Sequence, residues 1–498
     1  MQLSLPIARL APVVGAEPPS PNGRIYCNRS LRLDRVKVIG FDMDYTLAVY
    51  NQPEIDRLSI EATVRKLVER GYPERLLTME YRTDFPIRGL LIDRKLGHVI
   101  KMDRYRYVKR AYHGFRELST EERRKAYSAR RLRAQSKRYH WVDTLYGLSE
   151  VAVFSAAVEY LTDSEESIDY ETLFEDIRAC IDEAHRDGSI LDVVSADFPR
   201  YVGRDPALGE MLHKLRSAGK QLFLLTNSYP EYSEKMMEFL LGGENGEYES
   251  WKGYFDVIVT AATKPRFFTE RGRFVRASER ESDVPIESFE RGEIYMHGNI
   301  VDFERMLGAS GDQVLYVGDH IYGDVLRAKK DSAWRTMMII QEMNHEISTL
   351  GEVSESIARM DRLGDLRDNC LDELREHQHR QRSIEKRIEG ASGLVASSLT
   401  ELKAARVRHR KAIDRLRQRI KAVDKEFAEL ESAVAEAFHP FWGSLLKAGP
   451  EVSSFGDQVE EFACLYTTKV SNFSRYSPMH YFRSPRAAMP HEQDLGLR

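Results

Sequence analysis

Two aspartates, Asp42 and Asp44, stand in the segment FDMDYT at residues 41–46, directly after a short apolar run. Because side chains alternate along an extended chain, residues two positions apart point to the same side. Two carboxylates placed in this way can share a phosphoryl transfer: one attacks phosphorus to form an acyl phosphate, and the other protonates the leaving oxygen and later deprotonates water. A phosphate dianion repels a carboxylate nucleophile, so the reaction needs a hard cation such as Mg²⁺.

Apolar runs of the same form recur along the chain, and polar residues follow each of them. The runs cover residues 36–41, 221–225, 256–260 and 313–317. The later polar residues are Thr226, Asn227 and Ser228 after the second run, Lys264 after the third, and Asp319 and Asp324 after the fourth. Helical patterns lie between the runs, and this alternation predicts a parallel sheet with right-handed crossovers. Since ligands bind beyond the carboxyl ends of such strands, we expect these residues to meet at one edge.

The chain between the first and second runs is more than 170 residues long, far more than one crossover needs. We expect it to contain a β-hairpin over residues 89–102 and a mostly helical cap over residues 108–195. The catalytic core would then comprise residues 28–107 and 196–362, after a loosely docked arm of residues 1–27. The predicted fold is α/β, with a Rossmann-like parallel sheet and an inserted cap.

The composition changes after residue 362, where Leu, Arg, Glu, Lys and Ala become abundant. Apolar residues then follow a heptad spacing, at Ile413, Leu416, Ile420, Val423, Phe427 and Leu430. We interpret residues 363–440 as an antiparallel helical hairpin that packs on the same chain or on a sister subunit. A coiled coil dedicated to a partner protein is the alternative. The C-terminal segment 441–498 is expected to pack on the core.

Composition and charge favour an ordinary soluble protein. The chain has 498 residues, 42% of them hydrophobic, and a net charge of −4, so no global field indicates nucleic acid or membrane. No apolar run approaches the ~18 residues that span a bilayer. The four cysteines are widely scattered, and the N-terminus makes a poor signal peptide, so we expect a cytoplasmic protein.

The motifs FDMDYT, TNS, KP and GDHIYGD together resemble the four motifs of the haloacid dehalogenase superfamily, in the same order and each after a strand-like run. The resemblance implies that Asp42 is the nucleophile and Asp44 the acid/base. It implies that Mg²⁺ binds the carboxylates of Asp42 and Asp319 and the carbonyl of Asp44. Thr226 and Lys264 would hold the phosphoryl oxygens, with Asn227 and Ser228 beside them. Asp324 would be an additional acidic group.

A narrower resemblance, to the cytosolic purine 5′-nucleotidase family, runs from about residue 28 to residue 492. It rests on segments such as FPIRGLLID, TLYGLSE, WRT and AAMPHE. It implies that Tyr146 stacks on a purine and that Arg178, Asp182 and His185 contact its edge. A carboxylate accepts the N1–H of a 6-oxopurine, which adenine lacks, so IMP or GMP would be preferred over AMP. The family also passes phosphate to nucleosides and forms homo-oligomers, and the same resemblance implies a tetramer here.

Several positions depart from that family. Gly147 replaces a small amide residue, Arg186 an aromatic residue and Leu191 a lysine near the substrate. Glu117 and Asp143 stand where the family's effector site has an aromatic and an amide residue, although Tyr322 and Lys330 match. Two acids would repel a polyphosphate, which argues against activation by ATP.

Two other functions stay open on the sequence. One is a related phosphatase that acts on another small phosphate ester, which the changes at Arg186 and Leu191 allow. The other is a nucleotide-sensing scaffold that works through the helical hairpin. The intact set of Asp42, Asp44, Lys264 and Asp319 argues against a scaffold, because a scaffold has no need of all four.

Overall fold

The computed structural model describes residues 19–127, 132, 136–163, 169–243, 248–280, 284–390, 396–486, 489 and 492. It divides the chain into two compact units. The first contains Met1–Asn344 and Leu445–Arg498, and the second contains His345–Ser444. Most of the predicted N-terminal arm, up to residue 18, and most of the AAMPHE segment lie outside the described residues.

The first unit is built on a main sheet that has nine strands in the described part of the chain. In spatial order these are Tyr26–Cys27, Leu465–Thr467, Arg335–Ile339, Val314–Gly318, Val38–Phe41, Gln221–Leu225, Val257–Thr260, Ile294–His297 and Phe274–Arg276. The central strand Val38–Phe41 runs parallel to both of its neighbours. All four predicted strands are present within two residues of their predicted ends, and the α/β parallel core is confirmed.

The central strands are apolar throughout because both faces of the sheet are covered. Ile39 and Phe41 belong to the hydrophobic cluster on one face, and Val38 belongs to the cluster on the other. Gly40 has no side chain because the Phe223 ring occupies that space: a Cβ on Gly40 would lie 1.9 Å from the ring. Full burial on both faces explains why these strands lack the alternation of a half-exposed sheet.

A second sheet has five strands among the described residues, and every neighbouring pair is antiparallel. Its order is Arg116–Glu117, Val108–His113, His98–Met102, Leu90–Asp93 and Tyr139–Val142. The hairpin predicted at residues 89–102 is therefore confirmed. The strands after this hairpin fall in the segment that was interpreted as mostly helical. Charged residues such as Lys109 and Arg110 do not indicate a strand in the sequence, and the strand that carries them is recognised only by its pairing with His98–Met102. Residues 128–131 and 133–135 lie outside the described residues.

Helices fill the remaining layers of the first unit. Their bounds are Gln52–Glu69, Thr120–Tyr127, Leu148–Asp163, Tyr170–Arg186, Leu191–Ala196, Phe198–Tyr201, Ala207–Ser217, Pro230–Leu241, Arg266–Thr269, Ile300–Leu307, Arg327–Ser332 and Ser454–Phe462. Met343–Glu352 spans the boundary between the two units. Short strand pairs join Val49–Tyr50 to Val202–Gly203, Lys447–Ala448 to Glu451–Val452, and Leu31–Arg32 to Tyr481–Phe482.

The second unit is dominated by two long helices, Ser354–Glu389 and Ala396–Phe438. The apolar seam predicted on the second of them is buried or half-buried at all six positions. Ion pairs join the two helices: Arg359 contacts Glu426 at 2.8 Å, and Arg367 contacts Asp424 at 2.7 Å. These contacts agree with an antiparallel hairpin.

Among the described residues, no helix has the length and hydrophobicity needed to cross a membrane.

The helix Gln52–Glu69 buries one carboxyl, that of Asp56, which is 3% exposed and accepts a hydrogen bond from Gln52 Nε2 at 2.9 Å. Burial raises the pKa of Asp56 to about 7. Since the folded-state pKa exceeds the unfolded one, ionisation of Asp56 reduces the stability of the fold as pH rises from about 4 to 7. The Asp56→Asn variant escapes this loss, so we expect it to be stabilised relative to the wild type at pH 8.5 by about 2–4 kcal/mol.

The measurement is the melting temperature of both proteins between pH 5 and pH 8.5. The advantage of Asp56→Asn should grow as pH rises. Glu61→Gln is the matched control, because Glu61 is exposed on the same helix. A constant difference between Asp56→Asn and wild type across this range would contradict the prediction.

Candidate active site

The loop after the central strand places Asp42 at the carboxyl edge of the main sheet. The Asp42 N–H donates to the Val317 carbonyl of the neighbouring strand at 2.9 Å. Its Oδ1 accepts from the Met43 N–H at 2.8 Å and lies 2.9 Å from Lys264 Nζ. One carboxylate oxygen is thus fixed by two donors, which orients the group.

Lys264 is the buried cation of this edge, with a side chain that is 3% exposed. Its Nζ contacts Asp42, as above, and Asp324 Oδ1 at 2.7 Å, and it donates to the Tyr316 hydroxyl at 2.9 Å. Asn227 fixes the backbone on both sides: its Oδ1 accepts from the Lys264 N–H at 2.6 Å, and its Nδ2 donates to the Lys264 carbonyl at 3.1 Å. Asn227, expected beside the substrate, therefore holds Lys264 in place.

Asp44 lies close to Asp42 but has different partners. Its Oδ2 accepts from the Ser228 hydroxyl and its Oδ1 from the Tyr50 hydroxyl, both at 2.6 Å. The Tyr50 hydroxyl also lies 2.8 Å from that of Tyr232. Burial raises the pKa of Asp44, and the two hydroxyl donors only partly oppose this shift. A raised pKa favours the protonated form of the Asp44 carboxyl, which is the form that a general acid needs.

The loop after the second strand contributes Thr226 and Ser228. Thr226 is fully buried, and its Oγ1 accepts from the Ser228 N–H at 3.1 Å, so its own proton remains available for donation. The structure therefore places Asn227 against Lys264 and Ser228 against Asp44, with Thr226 bonded to Ser228, at the edge predicted from the sequence.

The fourth strand, Val314–Gly318, leads into Asp319 and then into a π-helical turn, Ile321–Leu326, which presents Asp324. Gly318 lets this turn fold back, because a Cβ at that position would lie 2.6 Å from the Asp324 carboxylate. Carboxylate oxygens of Asp42, Asp319 and Asp324 lie within 4.8 Å of one another, and all three residues can be grouped as one acidic cluster.

The charges of this cluster favour a bound cation. Burial, together with the Asp324 carboxylate, raises the pKa of Asp319 to about 7, against the opposing effect of Arg88. Burial also raises the pKa of Asp42 well above its usual range, although Lys264 lowers it. Three buried carboxylates face one lysine, so the site lacks positive charge. Hard oxygen donors at this spacing fit Mg²⁺, which prefers carboxylates, carbonyls and water.

A cavity of about 750 Å³ lies beside this edge, and Tyr146, Arg178 and Asp182 line it. His185 sits against the Tyr146 ring, with centroids 4.2 Å apart. Tyr146 is 41% exposed, yet the side chains around it, and then the Asp44 charge, raise the pKa of its hydroxyl, so Asp44 lies within electrostatic reach of the ring. The structure thus brings together the four residues expected to contact a base.

Arg178 is not a free side chain within this cavity. Its Nη1 lies 3.2 Å from Glu150 Oε1 and 3.0 Å from His140 Nε2. Glu150 is only 5% exposed, whereas the Arg178 side chain is 41% exposed, so the pair is buried on the carboxylate side and open to water on the guanidinium side. A buried carboxylate therefore holds the guanidinium that was expected to contact the base.

Tyr322, Lys330 and Asp143, which match or depart from the family's effector site, line the same cavity. Asp143 Oδ2 lies 3.1 Å from His320 Nε2. Burial alone would lower the pKa of His320, but the Asp143 carboxylate raises it to about 9. The charge of Asp143 is therefore paired, while Glu117 lies exposed in a strand of the second sheet.

The sequence interpretation missed several residues that the structure places around the site: Tyr50, Tyr316, Arg88 and Glu150. Two signals were present. Arg88 is a charged residue inside the apolar segment FPIRGLLID, and Tyr316 brings a hydroxyl into a buried strand, where it needs a partner. Tyr50 and Glu150 gave no comparable signal.

Known proteins resemble this chain over most of its length. The model of the 5′ nucleotidase family matches residues 25–494. A 5′-nucleotidase domain-containing protein of Dictyostelium discoideum is 30% identical over 487 residues, which cover 95% of this chain and 75% of that protein. The human 5′-nucleotidase domain-containing protein 2 is 28% identical over 491 residues, covering 95% and 86%.

Among solved structures, CbbY from Rhodobacter sphaeroides in complex with phosphate is 13% identical, covers 61% of this chain and 86% of its own, and has a TM-score of 0.24. At this TM-score the likeness adds nothing to the assignment. The match to the family model over residues 25–494 and the likeness to the Dictyostelium relative are sufficient to assign the chain to a family. The chain therefore belongs to the 5′ nucleotidase family and is an enzyme of that family, a 5′-nucleotidase.

Proposed function

We propose that this enzyme hydrolyses purine nucleoside 5′-monophosphates, with IMP and GMP preferred, in a Mg²⁺-dependent reaction through an aspartyl-phosphate on Asp42. The observation that carries the proposal is the convergence of Asp42, Asp44, Lys264 and Asp319 at one sheet edge, beside a cavity lined by Tyr146. A cavity of about 750 Å³ falls in the size range of small-ligand sites.

In the first step, Asp42 attacks phosphorus while the bond from phosphorus to the 5′-oxygen breaks. The donors on Asp42 Oδ1 leave its other oxygen to form the new bond. Asp44 gives its proton to the departing 5′-oxygen, and the nucleoside leaves. In the second step, Asp44 takes a proton from water, the water oxygen attacks the acyl phosphate, and inorganic phosphate departs from Asp42. A nucleoside hydroxyl in place of water would give phosphotransfer.

The carboxylates of Asp42 and Asp319 and the carbonyl of Asp44 would hold Mg²⁺, with Asp324 as an additional acidic group. When bound, the ion offsets phosphate charge and orients the phosphoryl group. Lys264, fixed by Asp324 and Tyr316, supplies a second positive charge to the phosphoryl oxygens. Thr226 donates its hydroxyl proton to the same oxygens.

Base preference rests on Tyr146, Arg178, Asp182 and His185. Tyr146, braced by His185, offers an aromatic face for stacking. The Asp182 carboxylate accepts the N1–H of a 6-oxopurine, and Arg178 donates to O6 or N7 while Glu150 keeps it aligned. Cytoplasmic location and a homo-oligomeric, tetrameric state stay predictions from the sequence.

The nucleophile is tested with Asp42→Asn. We expect phosphate release from IMP in the presence of Mg²⁺ to fall about 10³-fold or more, because an amide cannot form the acyl phosphate. Acid quenching with radiolabelled substrate should trap phosphate on the wild type and not on the variant. Asp84→Asn, at an exposed residue paired with Arg82, is the matched control and should keep its activity. Full activity of Asp42→Asn would disprove the mechanism.

The base preference is tested with Asp182→Asn, assayed on IMP, GMP, AMP, CMP and a sugar phosphate. We expect kcat/KM for IMP and GMP to fall about tenfold, because the acceptor for N1–H is weakened, while AMP changes less than about threefold. Glu171→Gln, exposed on the same helix, serves as control. If the wild type acts on the sugar phosphate alone, the substrate is another small phosphate ester and not a nucleotide.

A further inference from the structure

The loop Asp319–His320 is held by the second sheet at two points. Arg88 Nη1 donates to the Asp319 carbonyl at 2.9 Å, and Asp143 contacts His320 at 3.1 Å. Arg88 lies just before the strand Leu90–Asp93, and Asp143 lies just after Tyr139–Val142. These two strands are antiparallel neighbours, so Arg88 and Asp143 project from the same end of the sheet.

Arg88 is itself fixed on every side. Its side chain is fully buried, and it forms a two-pronged pair with Glu342: Nε donates to Oε1 at 2.7 Å, and Nη2 donates to Oε2 at 2.6 Å. The guanidinium lies 5.2 Å from the centre of the Phe455 ring. The fork geometry of arginine allows this pair and the contact with the Asp319 carbonyl at the same time.

The residue before Glu342 makes a matching contact with the nucleophile loop. Gln341 Nε2 donates to the Tyr45 carbonyl at 3.0 Å, between Asp44 and Thr46. Residues 341–342 therefore contact both loops. Gln341 contacts the loop that carries Asp42 directly, and Glu342 acts on the loop that carries Asp319 through Arg88. Both loops contribute carboxylates to the same acidic cluster.

We propose that Arg88, oriented by Glu342, is a positioning residue that sets the affinity of the Asp319 loop for a divalent cation. The inference rests on the proposed function, because it concerns the metal of that reaction. Carboxylates within 4.8 Å of one another repel each other, so the backbone that presents Asp319 must be held if the cluster is to accept an ion. A fixed carbonyl next to the Asp319 side chain supplies that restraint, in the way that partners of metal ligands orient them.

The test measures binding of Mn²⁺, which suits the same oxygen ligands. Binding is followed by electron paramagnetic resonance, as the loss of the signal of unbound Mn²⁺. Arg88→Lys keeps the positive charge but cannot reach Glu342 and the Asp319 carbonyl together. We expect it to bind Mn²⁺ about tenfold more weakly, with the half-saturating Mg²⁺ concentration for IMP hydrolysis raised by the same factor. The kcat at saturating Mg²⁺ and the KM for IMP should change less than about threefold.

The matched control is Arg138→Lys. Arg138 forms a similar fork with buried Asp93 in the second sheet, at 2.8 and 2.6 Å, but contacts no residue of the acidic cluster among the described residues. It should bind Mn²⁺ as the wild type does. If Arg88→Lys fails to fold by circular dichroism, Glu342→Gln decides, with an expected loss of about threefold or more.

Each outcome has a distinct meaning. Wild-type Mn²⁺ affinity in a folded Arg88→Lys, or in Glu342→Gln when it decides, overturns the role of Arg88 and leaves the proposed reaction intact. An equal loss in Arg138→Lys also overturns it, because a general weakening of the fold would then explain the effect. A wild-type enzyme that binds no Mn²⁺ and needs no Mg²⁺ overturns the proposed function as well.

Discussion

The contact of Lys264 with Asp42 and Asp324 is the interaction on which the candidate site depends. Three acidic side chains meet at the end of the main sheet, and carboxylates this close repel one another strongly in a buried setting. One ammonium group contacts two of them. Its position is set by groups from neighbouring strands and loops, Tyr316 and Asn227. The order of the strands therefore determines the charge balance of the site.

The parts of the fold that could be predicted share one physical property. A parallel strand buried on both faces is apolar throughout and ends where polar residues begin, so runs such as residues 36–41 and 313–317 are visible without a structure. Asp42, Thr226, Lys264 and Asp319 could be placed at one edge for the same reason. The helical hairpin of the second unit could be predicted because the heptad spacing of its apolar residues, from Ile413 to Leu430, repeats over several turns.

The parts that could not be predicted depend on the choice of partner in space. The strand Val108–His113 carries Lys109, Arg110 and His113, and the short strand Tyr139–Val142 lies in a segment that was expected to be mostly helical. Both strands form because they pair with a hairpin that is itself buried. A helical spacing indicated that Arg178 shares a face with Asp182, but it did not reveal that Glu150, on another helix, pairs with the guanidinium. Arg88 likewise needed Glu342, which lies far away in the chain.

The strands Val38–Phe41 and Gln221–Leu225 are neighbours in the main sheet, although more than 170 residues separate them in the chain. An insertion between adjacent strands begins and ends at one place, and the entropy of closing a long loop rises only slowly with its length. Evolution could therefore exchange such a segment as a unit. In this protein the exchange has one requirement. Arg88 and Asp143 lie inside the insertion, and they contact Glu342 and His320, respectively, outside it. A chimera that takes the insertion from a relative must inherit these partners with it.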